Sequence, residues 1–277
     1  MLFMSTKLHK VIFMCGAGHS GSTLLGHLLG NLDNCFYGGE LKNTQFLENK
    51  NIKATKRVCK ICGENCSVWS KFQLLENENI YEKLADLTQN NIIVDSTKDS
   101  KWTEKQINTL QKKNVETNLI FVQRNGKAVF NSRLRKQKAT PHEILERWKT
   151  DIKNAFTIFE NFKEKKYILK YENLCLNPEN EVHNLCNTLE ISNKNLVSYL
   201  FQKIQHPLGG NNGTHYLAAK NSSPLIYNQL LSEKNKTYYQ NHSNSIIADN
   251  RWETELSEEN IFLFEQLAAE TNKLMNY

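Results

Sequence analysis

The chain has 277 residues, 39% of them hydrophobic and 10% aromatic, enough for one large α/β domain or two small ones with a sizeable core. Its net charge of +6 suits an anionic ligand but is too small to require nucleic acid. A run of about 18 apolar residues is absent, which excludes a membrane-spanning helix, and the opening MLFMSTKLHK lacks an apolar secretion core, so a cytoplasmic protein is expected.

Residues 11–30, VIFMCGAGHSGSTLLGHLLG, organise the chain. Val11 to Cys15 reads as a buried strand, Gly16 to Gly21 as a glycine-rich turn, and Ser22 to Leu29 as a helix. Strand, glycine loop and helix start together form a site for a phosphate-like anion, because curled backbone N–H groups and the helix dipole converge there. The spacing is that of a P-loop with one change: Ser22 stands where a lysine reaches the β- and γ-phosphates of a nucleoside triphosphate. That change argues against an ordinary ATPase or kinase and for a donor with a shorter anionic chain.

Asn31 to Tyr37 is a connection or short strand, followed by Gly38, Gly39 and Glu40. Glu40 reads either as a helix-start glutamate, favourable to the dipole, or as a general base at the mouth of the glycine loop. Residues 49–58 form a basic surface loop. Cys59, Cys62 and Cys66 then offer three ligands of a zinc site, a disulfide, or a loop packed by thiols. None of His142, His183 or Cys35 can be placed as a fourth ligand. Ile80 to Leu87 reads as a helix and Asn91 to Val94 as a strand. Lys98 lies just beyond, at the sheet edge where open α/β folds hold ligands. It reads either as a surface lysine or as a cation facing a transferring group.

Leu119 to Val122 is the next strand, with Arg124 at its end and Ser132 eight residues on, in the following helix. An arginine and a hydroxyl so placed can converge on one phosphate, although the acid-free stretch 124–138 also reads as a solvated basic face. Pro141 to Phe162 is a helix with an apolar stripe through Ile144, Trp148, Ile152 and Phe159. Tyr167 to Leu169 is a strand, Tyr171 follows, and Pro178 to Leu189 is a helix. From 203 to 250 the chain turns polar, with His206, Gly210 and Asn211, and reads as a lid with partly packed Tyr216, Leu225, Ile226, Tyr227, Leu230, Leu231, Tyr238 and Tyr239. Trp252 to Met275 is expected as a single helix. The chain is read as one domain, 1–277, with a cysteine-containing insertion at about 49–70 and the lid at about 203–250.

Several of these stretches together resemble sulfotransferases that use 3′-phosphoadenosine 5′-phosphosulfate (PAPS). GAGHSGSTLLGHLLG is similar to the family's 5′-phosphosulfate loop and VQRNGKAVFNSRLR to its 3′-phosphate segment. YENLCLNPENEVHNLCNTLEI is similar to the later strand–helix region, and HPLGGNN and SIIADNRWETELS to the parts that close over the nucleotide. The resemblance implies an α/β three-layer fold with a central, mostly parallel, P-loop-like sheet. It implies PAPS as donor, 3′-phosphoadenosine 5′-phosphate (PAP) as product, a hydroxyl acceptor on a glycan, peptide or small molecule, and no metal for the chemistry.

In this resemblance Gly18, His19, Ser20, Gly21, Ser22 and Thr23 hold the 5′ end, Arg124 and Ser132 the 3′-phosphate, and Tyr171, Gly210 and Asn211 complete the nucleotide site. Lys98 looks like the lysine that faces the leaving group. The chain departs from the family in three ways. His19 replaces the usual lysine or arginine and is expected to touch the sulfuryl or bridging oxygen, either protonated or as an N–H donor. The catalytic histidine of the cytosolic small-molecule branch has no match, and Glu40 instead resembles the base of the protein-tyrosine branch. The cysteine cluster receives no role. Two other readings remain: a P-loop phosphotransferase, with Asp95 as its one visible metal partner, and a PAPS- or PAP-binding protein without turnover.

Overall fold

The computed structural model describes residues 6–193, 203–220, 231, 233–240 and 246–277. Leu225, Ile226, Tyr227 and Leu230 of the expected lid lie outside them. Five parallel strands, β1 (Lys10–Cys15), β2 (Cys35–Gly39), β3 (Ile92–Asp95), β4 (Glu116–Gln123) and β5 (Lys166–Lys170), form one sheet in the order β2-β3-β1-β4-β5. β1 sits at the centre, with Lys10 opposite Ile92 on one side and opposite Glu116 on the other.

Both faces of the sheet are covered. Ile12 and Met14 pack with Leu24, Leu25 and Leu29 of α1 (Ser22–Gly30), and with Leu174 of α7 (Tyr171–Leu176) and Leu185 of α8 (Pro178–Thr188). Val11, Phe13 and Cys15 face the opposite layer. That layer holds α3 (Ile80–Thr88), α4 (Ser100–Gln111), α5 (Gly126–Leu134) and α6 (Pro141–Asn161). This two-sided burial explains why β1 reads as an unbroken apolar run rather than an alternating one. The fold is thus an α/β three-layer structure, its sheet entirely parallel. The chain leaves β1 through α1 on one face and reaches β4 through α4 on the other, which opens a crevice at the carboxyl end of β1.

Local chemistry sets the element ends. Thr140 and Glu143 make a reciprocal capping box at the start of α6, with Pro141 in its first turn. The expected single helix over 252–275 is two, α11 (Trp252–Glu255) and α12 (Glu258–Leu274). Leu256 is extended between them, and the Ser257 hydroxyl accepts the Asn260 N–H at 3.3 Å, so a new helix starts there. The short α2 (Ala54–Arg57) lies in the cysteine-containing insertion, and within the polar region 203–250, α9 (Asn212–Ala219) and α10 (Glu233–Gln240) are helical. No described helix is long and apolar enough to cross a membrane.

Candidate active site at the carboxyl edge of the sheet

A cavity of about 730 Å³ opens at this edge. Gly18, His19, Gly21, Ser22, Thr23, Glu40, Lys98, Arg124, Ser132, Tyr171, Gly210 and Asn211 all line it, so residues far apart in sequence meet in one place. Ser20 does not line it; the residue is 1% exposed beneath the loop.

The glycine loop is shaped by what crowds it. Gly21 has φ +95°, and a Cβ there would stand 2.4 Å from Cδ2 of Tyr171. Gly21 precedes α1 without any side-chain cap, which leaves the first-turn N–H groups of that helix to a ligand. His19 also has positive φ, at 78°, which is uncommon for a residue with a side chain. This turn directs its carbonyl to Arg124 Nη1, which donates at 3.0 Å, and its ring Nδ1 to Ser132 Oγ at 2.9 Å.

A lysine from outside the loop reaches its Ser22. Lys98, just past β3, places Nζ 2.9 Å from Ser22 Oγ, 2.7 Å from Ser96 O and 3.4 Å from Glu40 Oε1. Glu40 precedes the short 3₁₀ turn Leu41–Phe46 and makes no side-chain cap there. Its carboxylate therefore does not serve the helix start; it faces Lys98 and the cavity, with its side chain 32% exposed. A short strap, residues 207–211, fixes it from above. Leu208 O accepts the Glu40 N–H at 2.6 Å, Gly38 O accepts the Leu208 N–H at 2.9 Å, and Asn211 N donates to Thr23 Oγ1 at 3.0 Å. Gly209 passes so near Glu40 that a Cβ would meet Oε2 at 2.6 Å.

The second half of the cavity is strongly cationic. Arg124 is buried, stacks on Tyr171 at 4.3 Å from its ring centre, and donates to Asp249 O at 2.8 Å. The stretch 124–138 is thus not a plain solvated face, since Arg124 and Arg133 are both buried. The Nε–H groups of Arg124, Arg133 and Arg135 are buried with no acceptor among the described residues. Two titratable groups record the excess positive charge. Burial, then Lys136, Arg133, Arg124 and Lys98, pull His19 down to about 3. Burial, then Arg135, offset by Asp249 and reinforced by Arg251 and Arg124, brings Lys136 down to about 8. That shift favours a neutral ring at pH 7, the second of the two expected forms, an N–H donor. If Nδ1 accepts the Ser132 hydroxyl, the ring proton lies on Nε2 and the residue still donates an N–H.

Sequence reasoning missed several wall residues. Lys60 reaches the cavity from the cysteine segment and donates to Asn212 Oδ1 at 3.2 Å. Arg251 lies over the Tyr238 ring at 3.6 Å and pairs with Asp249 at 2.7 Å. Although burial pushes the Asp249 carboxyl up, Arg251 foremost holds it down at about 2. Asp95 is not available to a metal. It is fully buried, and its two oxygens accept from Leu41 N, Thr97 N, Tyr81 Oη and Trp102 Nε1. Cys59, Cys62 and Cys66 are free thiols, so no disulfide joins them, and Cys59 and Cys66 are buried in the core that holds Phe36 and Leu41.

An all-parallel sheet with a glycine loop at its switch point and a cationic crevice above it defines a P-loop-like α/β fold. The chain belongs to the sulfotransferase family, whose profile matches residues 11–195. Among solved structures it is similar to the sulfotransferase domain from the curacin biosynthetic pathway, at 19% identity over 95% of this chain and 98% of that one, with TM-score 0.57. It is similar to the sulfotransferase domain of the Synechococcus PCC 7002 olefin synthase, at 14% identity over 97% and 98%, with TM-score 0.55. Mouse sulfotransferase SULT7A1 complexed with PAP aligns at 12% identity over 98% and 90%, with TM-score 0.51. No curated protein matches the chain.

Proposed function

We propose that the chain transfers a sulfuryl group from PAPS to a hydroxyl acceptor on a glycan, peptide or small molecule. The observation that carries this reading is the Ser22–Lys98–Glu40 contact in one cavity with the His19–Ser132–Arg124 cluster. The first group suits a phosphosulfate and an incoming hydroxyl. The second suits a further phosphate, which a nucleoside triphosphate lacks at that end. The mouse neighbour's complex with PAP supports the same donor.

In this reading the N–H groups at the start of α1, with Ser22 and Thr23, hold the 5′-phosphosulfate. Arg124, Ser132 and the surrounding cations hold the 3′-phosphate, and Tyr171 braces Arg124 and Gly21. Glu40 takes the proton of the acceptor hydroxyl, whose oxygen attacks sulfur. The bond from sulfur to the bridging oxygen breaks in line, and the electron pair leaves on the 5′-phosphate of PAP. Lys98 stabilises that developing charge, and the His19 N–H is placed to assist. The product is a sulfate ester, and Glu40 returns its proton to solvent. The saturated hydrogen bonding of Asp95 argues against a magnesium–triphosphate reading.

Incubation with ³⁵S-labelled PAPS and a panel of sugar, peptide and alcohol acceptors tests the proposal. Labelled ester with at least one acceptor is expected. Tight PAP binding with no transfer across the panel would favour the binding protein without turnover.

A further inference from the structure

The cysteine segment carries chemistry that sulfuryl transfer does not use. The Sγ atoms of Cys59, Cys62 and Cys66 and a ring nitrogen of His206 all lie within 4.8 Å of one another. His206 lies 140 residues beyond Cys66 in sequence, and its Nδ1 stands 3.3 Å from both Cys62 Sγ and Cys66 Sγ. One imidazole nitrogen makes a single hydrogen bond along its lone-pair axis, so it cannot satisfy two thiols at once. A metal at the centre of the four atoms satisfies all of them. Zinc–sulfur bonds of about 2.3 Å and zinc–nitrogen bonds of about 2.0 Å set tetrahedral ligand atoms some 3.5 to 3.8 Å apart, close to the spacing found.

The surroundings are built to hold these ligands. The Cys62 N–H points at Cys59 Sγ at 3.4 Å, and Gly63, with φ +68°, closes the turn by donating its N–H to Cys59 O at 3.0 Å. The His206 backbone carbonyl accepts from Trp69 Nε1 at 2.6 Å, while its ring stacks on Phe36 with planes 25° apart. Such outer contacts fix ligand orientation in metal sites. Three thiolates and an imidazole suit zinc in preference to calcium or magnesium.

We propose that Cys59, Cys62, Cys66 and His206 bind one structural Zn²⁺ that pins the root of the 207–211 strap beside the active site. Four protein ligands complete the tetrahedron and leave no open position for substrate, so the role is structural. His206 immediately precedes the strap. Pro207 O accepts the Lys60 N–H at 2.9 Å, Leu208 pairs with Gly38 and Glu40, and Asn211 bonds Thr23. The metal thereby sets the height of the strap over Glu40 and Thr23. The site stands whether or not the donor is PAPS.

The test uses the full chain, expressed with zinc in the medium and purified without a metal-chelating tag. Elemental analysis is expected to find about one zinc per chain. Replacement by Co²⁺ should give the visible bands of a tetrahedral sulfur-rich site. Cys66→Ser and His206→Ala should lose the metal, while Cys175→Ser, against the opposite face of the sheet, should retain it. Stripping the wild-type protein with a strong chelator should speed amide exchange at Glu40, Leu208 and Asn211 by at least about tenfold, with β4 unchanged. Substoichiometric zinc, or a disulfide between any two of the three cysteines, would overturn the metal site. Stoichiometric zinc whose removal leaves those three amides unchanged, or which loosens β4 equally, would overturn its role in holding the strap.

Discussion

Lys98, three residues past β3, brings its ammonium to Ser22, the position that a lysine holds in an ordinary P-loop, and in the proposed reading it takes over that lysine's task. Its Nζ spans Ser22 Oγ at 2.9 Å and Glu40 Oε1 at 3.4 Å, so one ammonium would join the proposed donor site to the proposed base. Glu40→Gln is expected to keep PAP affinity within about twofold and to lower kcat by about 10²–10⁴, the usual worth of a positioned base. Titration calorimetry and labelled transfer check the two halves. Arg124→Ala is expected to weaken PAP binding by about tenfold or more, the worth of a charge-assisted hydrogen bond, while adenosine 5′-monophosphate changes little. Equal losses for both nucleotides would place the 3′-phosphate elsewhere. The place of Lys98 and Arg124 in the cavity was legible because each follows an apolar strand at the edge where such folds bind ligands, and that of Glu40 from the paired glycines before it. Lys60, Arg251 and His206 were not, because their partners lie on segments that only tertiary packing brings together. Local spacing shows three cysteines; the fourth group, 144 residues from Cys62, leaves no trace in it.

At the scale of elements, the turn into α1 is tightly constrained. Gly21 combines a left-handed φ with the Tyr171 ring at van der Waals limits. Gly21→Ala is expected to cost about 1–3 kcal/mol of stability, through backbone strain and overpacking. It should also displace Tyr171 from Arg124 and weaken PAP binding. A urea titration beside calorimetry checks both, and an unchanged midpoint would refute the strain. Four strands of the sheet were legible from apolar runs, β2 having been open between connection and strand, and α6 was legible from its stripe and Pro141. The break at Leu256 was written as Ser257 followed by two glutamates, a helix-start signal that the continuing apolar pattern obscured. The strap 207–211 was not legible as structure. It has no repeating pattern, pairs with the sheet through Leu208 opposite Gly39, and owes its place to the buried Leu208 and to glycines at positive φ packed on Glu40 and Thr23.

Over the whole molecule, charge is the common theme. Three histidines are held neutral by the fold: the buried His215 near 3 and His27 well below its usual value, and the half-buried His19 near 3, each chiefly by loss of solvent. His27 Nε2 meets His215 Nδ1 at 3.0 Å, and His215 Nε2 meets Gly209 O at 2.8 Å, directly behind the strap. A histidine whose folded pKa is depressed adds no penalty above about pH 6.5, where both states are neutral. Below it the unfolded chain binds the extra proton, and each such group costs about 1.4 kcal/mol per pH unit. Stability is therefore expected to fall steeply from pH 6.5 towards 4, as read by denaturant midpoints; a flat profile would contradict the burial of these rings. Lys136 gives the opposite kind of reading. A bound polyanion restores its proton, so PAP binding near pH 8 should take up protons and weaken as pH rises. Calorimetry in buffers of different ionisation enthalpy measures that uptake.

Two anion sites one nucleoside apart are the core of the functional reading, and a single titration series addresses them most directly. Calorimetry of the full chain with PAP, adenosine 5′-monophosphate and magnesium ATP should give PAP as the tightest ligand, by about tenfold or more over each of the others. Magnesium ATP binding as tightly as PAP, or adenosine 5′-monophosphate matching it, would contradict the account.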